Sequence, residues 1–181
     1  MSVKFIDGQS IYLRPLEKED LKGNYSLWLN DPKINELNSH CRFVKTQNEL
    51  NNYIESVSSS KSELVLAVVY KQNDLHVGNI SLQSINWLNR DAEIAFILGE
   101  VDYWGKGIMY EAGKLLLSHA FKKLNLHRIH CGTSINNLGM IRLAKKLGMK
   151  QEGIRREALF NNGKYFDIVE FGIINKKIKN I

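Results

Sequence analysis

Two hydrophobic periods occur along the chain, and each predicts a different element. Apolar residues at every second position, or in a short run that is apolar throughout, predict a β-strand. Apolar residues spaced three or four apart predict an amphipathic helix instead. Together these patterns predict the element order β-α-α-β-β-β-α-β-α-β-β. This order is mixed, unlike the regular strand–helix alternation of a doubly wound nucleotide-binding fold.

The first half of the chain is expected to hold one short strand, two helices and then three strands. Residues 11–14 are β-prone, and Pro15 ends that run. Asp20 predicts the N-cap of a helix that reaches about Leu29. Residues 46–49 (TQNE) have the form of a capping box and predict the start of the second helix. The three strands are expected at residues 64–70, 77–82 and 92–98.

The second half is expected to hold a long helix, a strand, a shorter helix and a hairpin. An apolar stripe that starts at Ile108 predicts the long helix, and Gly148 ends the shorter one. Residues 161–163 (NNG) are typical of a hairpin turn. The elements are expected at about residues 108–124, 128–134, 138–147, 150–159 and 164–173.

The composition is that of a folded domain of ordinary size. The chain has 181 residues, of which 44% are hydrophobic and 24% charged, and no linker or repeat divides it, so a single domain over residues 1–181 is expected. No apolar run is long enough to cross a bilayer and the N-terminus lacks a secretory pattern, so a cytoplasmic location and no membrane partner are expected. Cys41 and Cys131 lack the spacing of metal ligands, so no metal is expected.

The formal charge of +6 favours anionic partners such as phosphate groups. The basic residues are spread along the chain, however, and only residues 176–179 form a local cluster. Since no recognition motif accompanies the charge, nucleic acid is not an expected partner. The sequence does not set the oligomeric state, and a homodimer is compatible with it.

A strand, a glycine-rich turn and a helix start follow one another over residues 97–109. Gly105 and Gly107 allow the backbone to adopt positive φ and to approach a ligand closely. The first turn of a helix presents unpaired N–H groups at the positive end of its dipole, and Lys106 adds a cation. The segment therefore predicts a seat for a phosphate or pyrophosphate, although an ordinary tight turn is an equal alternative. It matches neither the P-loop nor the Rossmann motif.

Together with the residues around it, the glycine-rich segment indicates a particular family more specifically than the glycines alone do. Residues 103–112 (YWGKGIMYEA) resemble the pyrophosphate-binding segment of the GNAT acetyltransferase superfamily. The closest resemblance is to the branch that contains ribosomal-protein N-terminal acetyltransferases and bacterial amino-sugar acetyltransferases. The likeness covers nearly the whole chain, in order and at the right spacing, through residues 11–21, 28–32, 137, 146–153 and 163–167.

The resemblance implies an α/β (α+β) fold with a mostly antiparallel, twisted sheet of six to seven strands and about four helices. It implies that acetyl-CoA enters a cleft where the strands at 92–98 and 128–134 splay apart. The main chain of Phe96, Ile97 and Leu98 would pair with the pantetheine arm, and Asn137 would lie near the sulfur. The pyrophosphate would be held by the segment Trp104, Gly105, Lys106, Gly107, Ile108 and Met109.

Two positions depart from the pattern of the superfamily. Met109 replaces a usual small residue, and Met140 replaces a serine that could protonate the leaving thiolate, so the general acid is unassigned. Attack on a thioester requires a neutral amine, which a general base can provide. Glu93 is the first candidate base because it lies on the strand expected beside the thioester, although a strand glutamate without a catalytic role fits as well; Glu100 is the second.

The chain is therefore expected to transfer an acetyl group from acetyl-CoA to a primary amine. A nucleotide-linked amino sugar is slightly favoured as the acceptor, because residues 28–32 resemble polysaccharide-pathway members and the positive charge suits a diphosphate. The N-terminal amine of a (ribosomal) protein is the alternative, and the basic composition makes a polyamine less favoured. Loss of the serine leaves open a non-catalytic CoA-binding module. The candidate acceptor contacts are Arg14, Trp28 and Arg42.

Overall fold

The computed structural model describes residues 3–36 and 43–175. In this part of the chain, eight strands form one sheet in the order β1-β2-β3-β4-β5-β6-β8-β7, and only β5 and β6 are parallel neighbours. The strands are β1 (Ile6–Asp7), β2 (Ile11–Pro15), β3 (Leu64–Tyr70), β4 (Leu75–Asn86), β5 (Asp91–Leu98), β6 (Arg128–Ser134), β7 (Lys150–Asn161) and β8 (Lys164–Ile174).

Five α-helices accompany the described strands, and two of them are long. Thr46 caps the third helix as expected: its hydroxyl accepts from the Glu49 amide, and the Glu49 carboxylate accepts from the Thr46 amide. The helices are α1 (Tyr25–Trp28), α2 (Pro32–Asn35), α3 (Gln47–Ser59), α4 (Ile108–Lys122) and α5 (Leu138–Lys146). Short 3₁₀ helices occupy Lys18–Lys22 and Val101–Tyr103.

The mixed, mostly antiparallel fold is confirmed, with more elements than expected. The strand β1 and the helix α2 are too short to leave a hydrophobic period in the sequence. The predicted helix from Asp20 to Leu29 is interrupted at Gly23, whose backbone is extended. Asp20 is not an N-cap either, because its carboxylate accepts from the Glu17 amide at 2.8 Å, inside the 3₁₀ helix.

The sheet separates two hydrophobic clusters. Helices α4 and α5 cover one face, where the larger cluster includes Ile80, Ile94 and Leu116, all buried. The 3₁₀ helix at Lys18–Lys22 and helices α1 and α3 cover β2, β3 and part of β4 on the other face, around the buried Trp28. Alternate residues of β5 point to opposite faces, because Ala92 and Ile94 join the larger cluster while Ala95 and Ile97 face the other side.

The cleft expected between β5 and β6 is present. The two strands pair only over Asp91–Glu93, which lie opposite residues 128–130. Beyond this point β6 continues to pair with β8, while β5 continues to pair with β4. The edge of β5 that faces β6 is therefore unpaired over residues 94–98 within the described chain, and an extended ligand could pair with it. The single domain over residues 1–181 stays a prediction.

Candidate active site

The glycine-rich turn between β5 and α4 exposes backbone to open space. Gly105 and Gly107 have φ values of 75° and 81°, in the left-handed region that favours glycine. A Cβ atom built at either position would meet no atom of the described residues within 4 Å. Gly107 is the N-cap of α4, and none of the described side chains caps the helix there. The start of α4 is thus uncapped by the described side chains, and the space beside the two glycines is open, as a phosphate-binding helix start requires.

Side chains hold this turn against the rest of the molecule. The Trp104 indole Nε1 donates to the Leu98 carbonyl at 2.9 Å and stays 43% exposed. The Tyr103 hydroxyl accepts from Asn73 Nδ2 at 2.8 Å, and Lys106 Nζ lies 5.0 Å from the Tyr103 ring centroid. The turn is therefore tied both to β5 and to the β3–β4 connection, so its amides are held in place before a ligand arrives.

Glu93 lies where the cleft begins. It is the last residue of β5 that pairs with β6, where it lies opposite His130. On its other side it pairs with Gln83 of β4. It points to the sheet face opposite α4 and is half-buried. Cys131 is nearby and buried, and burial, together with the charges of Glu93 and Glu170, raises the pKa of its thiol to about 12. Cys131 therefore stays protonated and is a core residue.

Asn137 lies on the other side of the cleft, as the N-cap of α5. Its Oδ1 accepts from the Met140 amide at 3.1 Å, which satisfies one of the free amides of that helix. Met140, which replaces the expected serine, packs its side chain against the larger hydrophobic cluster. Asn137 therefore has a structural role in addition to the contact with the sulfur that the resemblance implies.

A cavity of about 380 Å³, the polar cavity, opens on the other face of the sheet, between α1, α3, β4 and β5, and apolar side chains line it together with polar ones. Its floor includes Phe96 and Ile97 of β5, which are also on the edge of the cleft. Two glutamates and one lysine are among its described lining residues. The side chains that give it its polar character include Lys45, Glu49, Tyr53, Glu63, Asn79 and Ser81.

The ionisation of two cavity residues follows from their surroundings. The Thr46 amide donates to Glu49 and lowers the pKa of that carboxyl, so Glu49 is anionic at neutral pH. Burial, with a contribution from the charge of Glu63, raises the pKa of Tyr53 to about 12. The Tyr53 hydroxyl therefore stays neutral and can donate a hydrogen bond, but it is not placed to act as a base near pH 7.

Two of the expected acceptor contacts, Arg14 and Trp28, are not among the lining residues of this cavity. Arg14 is only 9% exposed and forms a bidentate ion pair with Asp20, at 2.5 and 2.8 Å. Trp28 is buried, and its indole Nε1 donates to Glu100 at 3.0 Å. Both residues thus stabilise the layer behind the cavity, and a contact of either with the acceptor stays a prediction. Arg42 lies outside the described residues.

Sequence reasoning missed a buried polar network behind the cavity. His76 contacts Asp20 through Nδ1 at 3.0 Å and Asn79 through Nε2 at 2.7 Å. Burial alone would raise the pKa of Asp20, but hydrogen bonds from Arg14 and His76 outweigh it and hold the pKa well below its usual range. The pair Arg14 and Asp20 is far in the sequence from the pair His76 and Asn79, and no motif links them, so the register of β2, β3 and β4 brings the two pairs together.

An open strand edge, a glycine-rich helix start beside it and a polar cavity at its other side are the features of a CoA-dependent acyltransferase. The family model of the acetyltransferase (GNAT) domain matches residues 10–150. The chain therefore belongs to the GNAT family, as the sequence resemblance implies. It is an N-acetyltransferase that takes its acetyl group from acetyl-CoA.

Three known proteins illustrate this relationship. The probable N-acetyltransferase YjcK of Bacillus subtilis is 33% identical over 177 residues, covering 94% of this chain and 97% of YjcK. The structure of spermidine N-acetyltransferase from Vibrio cholerae with CoA and spermine is 26% identical, with a TM-score of 0.84 and coverages of 91% and 95%. RimL, a ribosomal L7/L12 α-N-protein acetyltransferase solved with coenzyme A, shares the fold at 19% identity, with a TM-score of 0.84 and coverages of 93% and 97%.

Two further observations concern partners. No three His, Cys, Asp or Glu side chains within residues 3–36 and 43–175 come together as metal ligands. None of the helices in the described chain is long and apolar enough to span a bilayer. The cytoplasmic location and the homodimer stay predictions.

Proposed function

We propose that the acetyl acceptor is the primary amine of a small cationic molecule of the polyamine class, bound in the polar cavity. The observation that carries this proposal is the charge of the cavity, where Glu49 and Glu63 outnumber Lys45. Although the whole chain is basic, a ligand responds mainly to the charges within about a Debye length of its site, which is about 10 Å. The Vibrio cholerae relative, solved with spermine, gives independent support.

On the other side of β5, the proposed donor site uses mainly backbone. The free edge at Phe96–Leu98 would accept the pantetheine arm as an added strand, and amides of residues 104–109 would hold the pyrophosphate. Lys106 and Trp104 are exposed beside the turn and can contact the same ligand. When bound, acetyl-CoA supplies an acyl group already activated as a thioester.

The proposed role of Glu93 is to receive the proton that the attacking amine loses. A polyamine nitrogen is mostly protonated near pH 7, so a base is needed to produce the nucleophile. Glu93 faces the same side of the sheet as the cavity residue Ala95, two positions further along β5. A water molecule between Glu93 and the cavity would complete the path for the proton. Residues on both faces of β5 would then bring amine and thioester together, which supplies much of the rate.

Two other acceptors were expected from the sequence. A nucleotide-linked amino sugar carries a diphosphate, which the two glutamates would repel. The charge of the cavity therefore argues against this acceptor, which the sequence had favoured. A protein N-terminus remains the second candidate because the polar cavity shares Leu29 with a wider groove of about 620 Å³ along α2. An extended peptide could continue from the cavity into that groove.

Release of CoA with a panel of amines tests the proposal. The panel would contain spermidine, a nucleotide-linked amino sugar and a short peptide with a free N-terminus. We expect the highest kcat/KM for spermidine, because its several ammonium groups complement the carboxylates of the cavity better than a single amino group does. A kcat/KM higher for the amino sugar or the peptide would contradict the assigned acceptor class, while leaving the acetyl-CoA chemistry intact.

A further inference from the structure

His76 is a nearly buried histidine whose two ring nitrogens both have polar contacts. Its side chain extends from β4 toward α1, where its ring centroid lies 5.0 Å from that of Trp28, and it is 12% exposed. Nδ1 lies 3.0 Å from Asp20 Oδ1, and Nε2 lies 3.0 Å from the Gly78 carbonyl and 2.7 Å from Asn79 Oδ1. The ring thus connects the buried Arg14–Asp20 ion pair to Asn79 on the wall of the polar cavity.

The contacts of Nε2 determine how the Asn79 side chain is turned. A backbone carbonyl can only accept, so the approach of Nε2 to the Gly78 oxygen requires an N–H group on Nε2. The same N–H then faces Asn79, and a donor can be met only by the carbonyl end of that carboxamide. The NH₂ group of Asn79 is therefore directed away from His76.

Asn79 lies close to the strand on which the donor is proposed to lie. It pairs with Ile97 across β4 and β5, and the backbone beside it packs so tightly that a Cβ at Gly78 would overlap the Ile97 carbonyl. Asn79 is itself part of the cavity wall and largely buried. Within the described chain its Nδ2 makes no hydrogen bond of its own. A donor group is thus available where the polar cavity meets the open strand.

We propose that His76 is a positioning residue, which fixes the Asn79 carboxamide so that its NH₂ group donates to the carbonyl oxygen of the acetyl group. This inference rests on the proposed placement of the donor along Phe96–Leu98. The carbonyl oxygen gains negative charge while the amine attacks, and a donor that is already oriented stabilises that charge without reorganisation. Asp20, held by Arg14, keeps the ring from rotating.

His76 does not act as the base in this arrangement. Both of its nitrogens face protein oxygens, and Asn79 stands between the ring and the cavity. Its effect on catalysis therefore passes through Asn79. This dependence distinguishes the proposal from a purely structural role and makes it testable.

The first test replaces the donor. Asn79→Asp keeps the shape and the oxygen that meets His76 but removes the NH₂ group, and Asn79→Ala removes both. We expect each variant to lower kcat by about 100-fold, the usual cost of one lost donor to a reacting carbonyl, with CoA affinity unchanged. Asn89→Asp, the same change in the exposed turn after β4, is the control and should keep the wild-type kcat.

The second test separates positioning from structural support. Glutamine places an amide nitrogen near the position of Nε2, whereas asparagine places one near that of Nδ1. His76→Gln can still donate to Asn79, and we expect a kcat within about 3-fold of wild type. His76→Asn keeps only the contact with Asp20, and we expect it to lose about as much kcat as Asn79→Asp, with no further loss in the double variant.

Three results would overturn the inference. A wild-type kcat in both Asn79→Asp and Asn79→Ala would show that the NH₂ group is not used. Equal kcat values for His76→Gln and His76→Asn would reduce His76 to a structural residue. A change confined to the KM of the amine would place Asn79 at the acceptor instead. If CoA binding, measured by calorimetry, were absent in the wild type, the proposed donor site itself would fail, which separates the two outcomes.

Discussion

The two faces of the sheet around β5 are built in different ways. On the α4 face, one long helix and one continuous chain segment, residues 94–109, provide the strand edge, the turn and the helix start. On the other face, the short helices α1 and α2 and the helix α3 leave a cavity whose polar residues come from separate segments. The first face offers backbone groups to its ligand, and the second offers side chains.

We infer from this difference that the two faces bind different substrates. Backbone amides can recognise a phosphate whatever side chains surround them, so the proposed donor site should tolerate departures such as Met109. A cavity lined by side chains can change its preferred acceptor through one or two substitutions. We therefore expect changes on the α4 face to affect acetyl-CoA, and changes on the other face to affect the amine.

Glu93 lies on β5, the strand that borders both the cleft and the polar cavity, and its replacement should have the largest effect on kcat. We expect Glu93→Gln to lower kcat by about 100-fold, as loss of a general base does, with little change in the KM of acetyl-CoA. Steady-state kinetics at several pH values would measure this. Glu100→Gln is the comparison, because Glu100 accepts from Trp28 and Asn24, and a glutamine oxygen can do the same. Wild-type kcat in Glu93→Gln across the pH range would remove Glu93 from the mechanism.

Gly107 tests the α4 face alone. Gly107→Val would fill the space beside the first-turn amides, and we expect the KM of acetyl-CoA to rise by about 30-fold, the cost of roughly one charge-assisted hydrogen bond. The KM of the amine should stay near its wild-type value.

A valine at Gly107 also strains the backbone, so a matched control is needed. Gly163 has a similar φ of 77° and equally open surroundings within the described chain, but it lies in the β7–β8 turn, far from α4. Gly163→Val should leave the KM of acetyl-CoA unchanged. If both variants raised it equally, strain rather than a blocked phosphate seat would be the cause.

Glu63 tests the opposite face, with a smaller expected effect. Glu63→Gln removes one of the cavity carboxylates, and we expect the KM of spermidine to rise by about 5-fold, as for a partly exposed charge pair. The KM of a monoamine of similar length should change less. Glu55→Gln, whose carboxylate is exposed and pairs with Lys18, is the control. An unchanged spermidine KM in Glu63→Gln would argue against a cationic acceptor.

Tyr53 should show the smallest effect of all. Because burial raises the pKa of Tyr53 to about 12, the folded protein keeps its hydroxyl protonated throughout the working range. Tyr53→Phe should therefore leave the shape of the pH–rate profile unchanged from about pH 6 to about pH 10. Loss of the basic limb of that profile in the variant would mean that Tyr53 ionises during turnover.

The same contrast between the faces explains what could be predicted from the sequence. The glycine turn and the strand that carries Glu93 follow from local patterns, because a short stretch of chain contains both the signal and the structure. The cleft is expected only because the chain resembles a known family, since it depends on how two distant strands pair. The contact of His76 with Asp20 depends on strand register, which no local pattern encodes. The charge of the cavity also could not be predicted from the composition, since a net charge of +6 does not show that Glu49 and Glu63 line the same cavity.

Hydrogen exchange of the backbone amides, with and without CoA, tests the central claim most directly. If the α4 face holds the donor through its backbone, CoA should slow exchange at residues 105–109 and leave residues 45–63 of the acceptor side unchanged. Slowed exchange at residues 45–63, with the glycine turn exchanging at its unliganded rate, would contradict it.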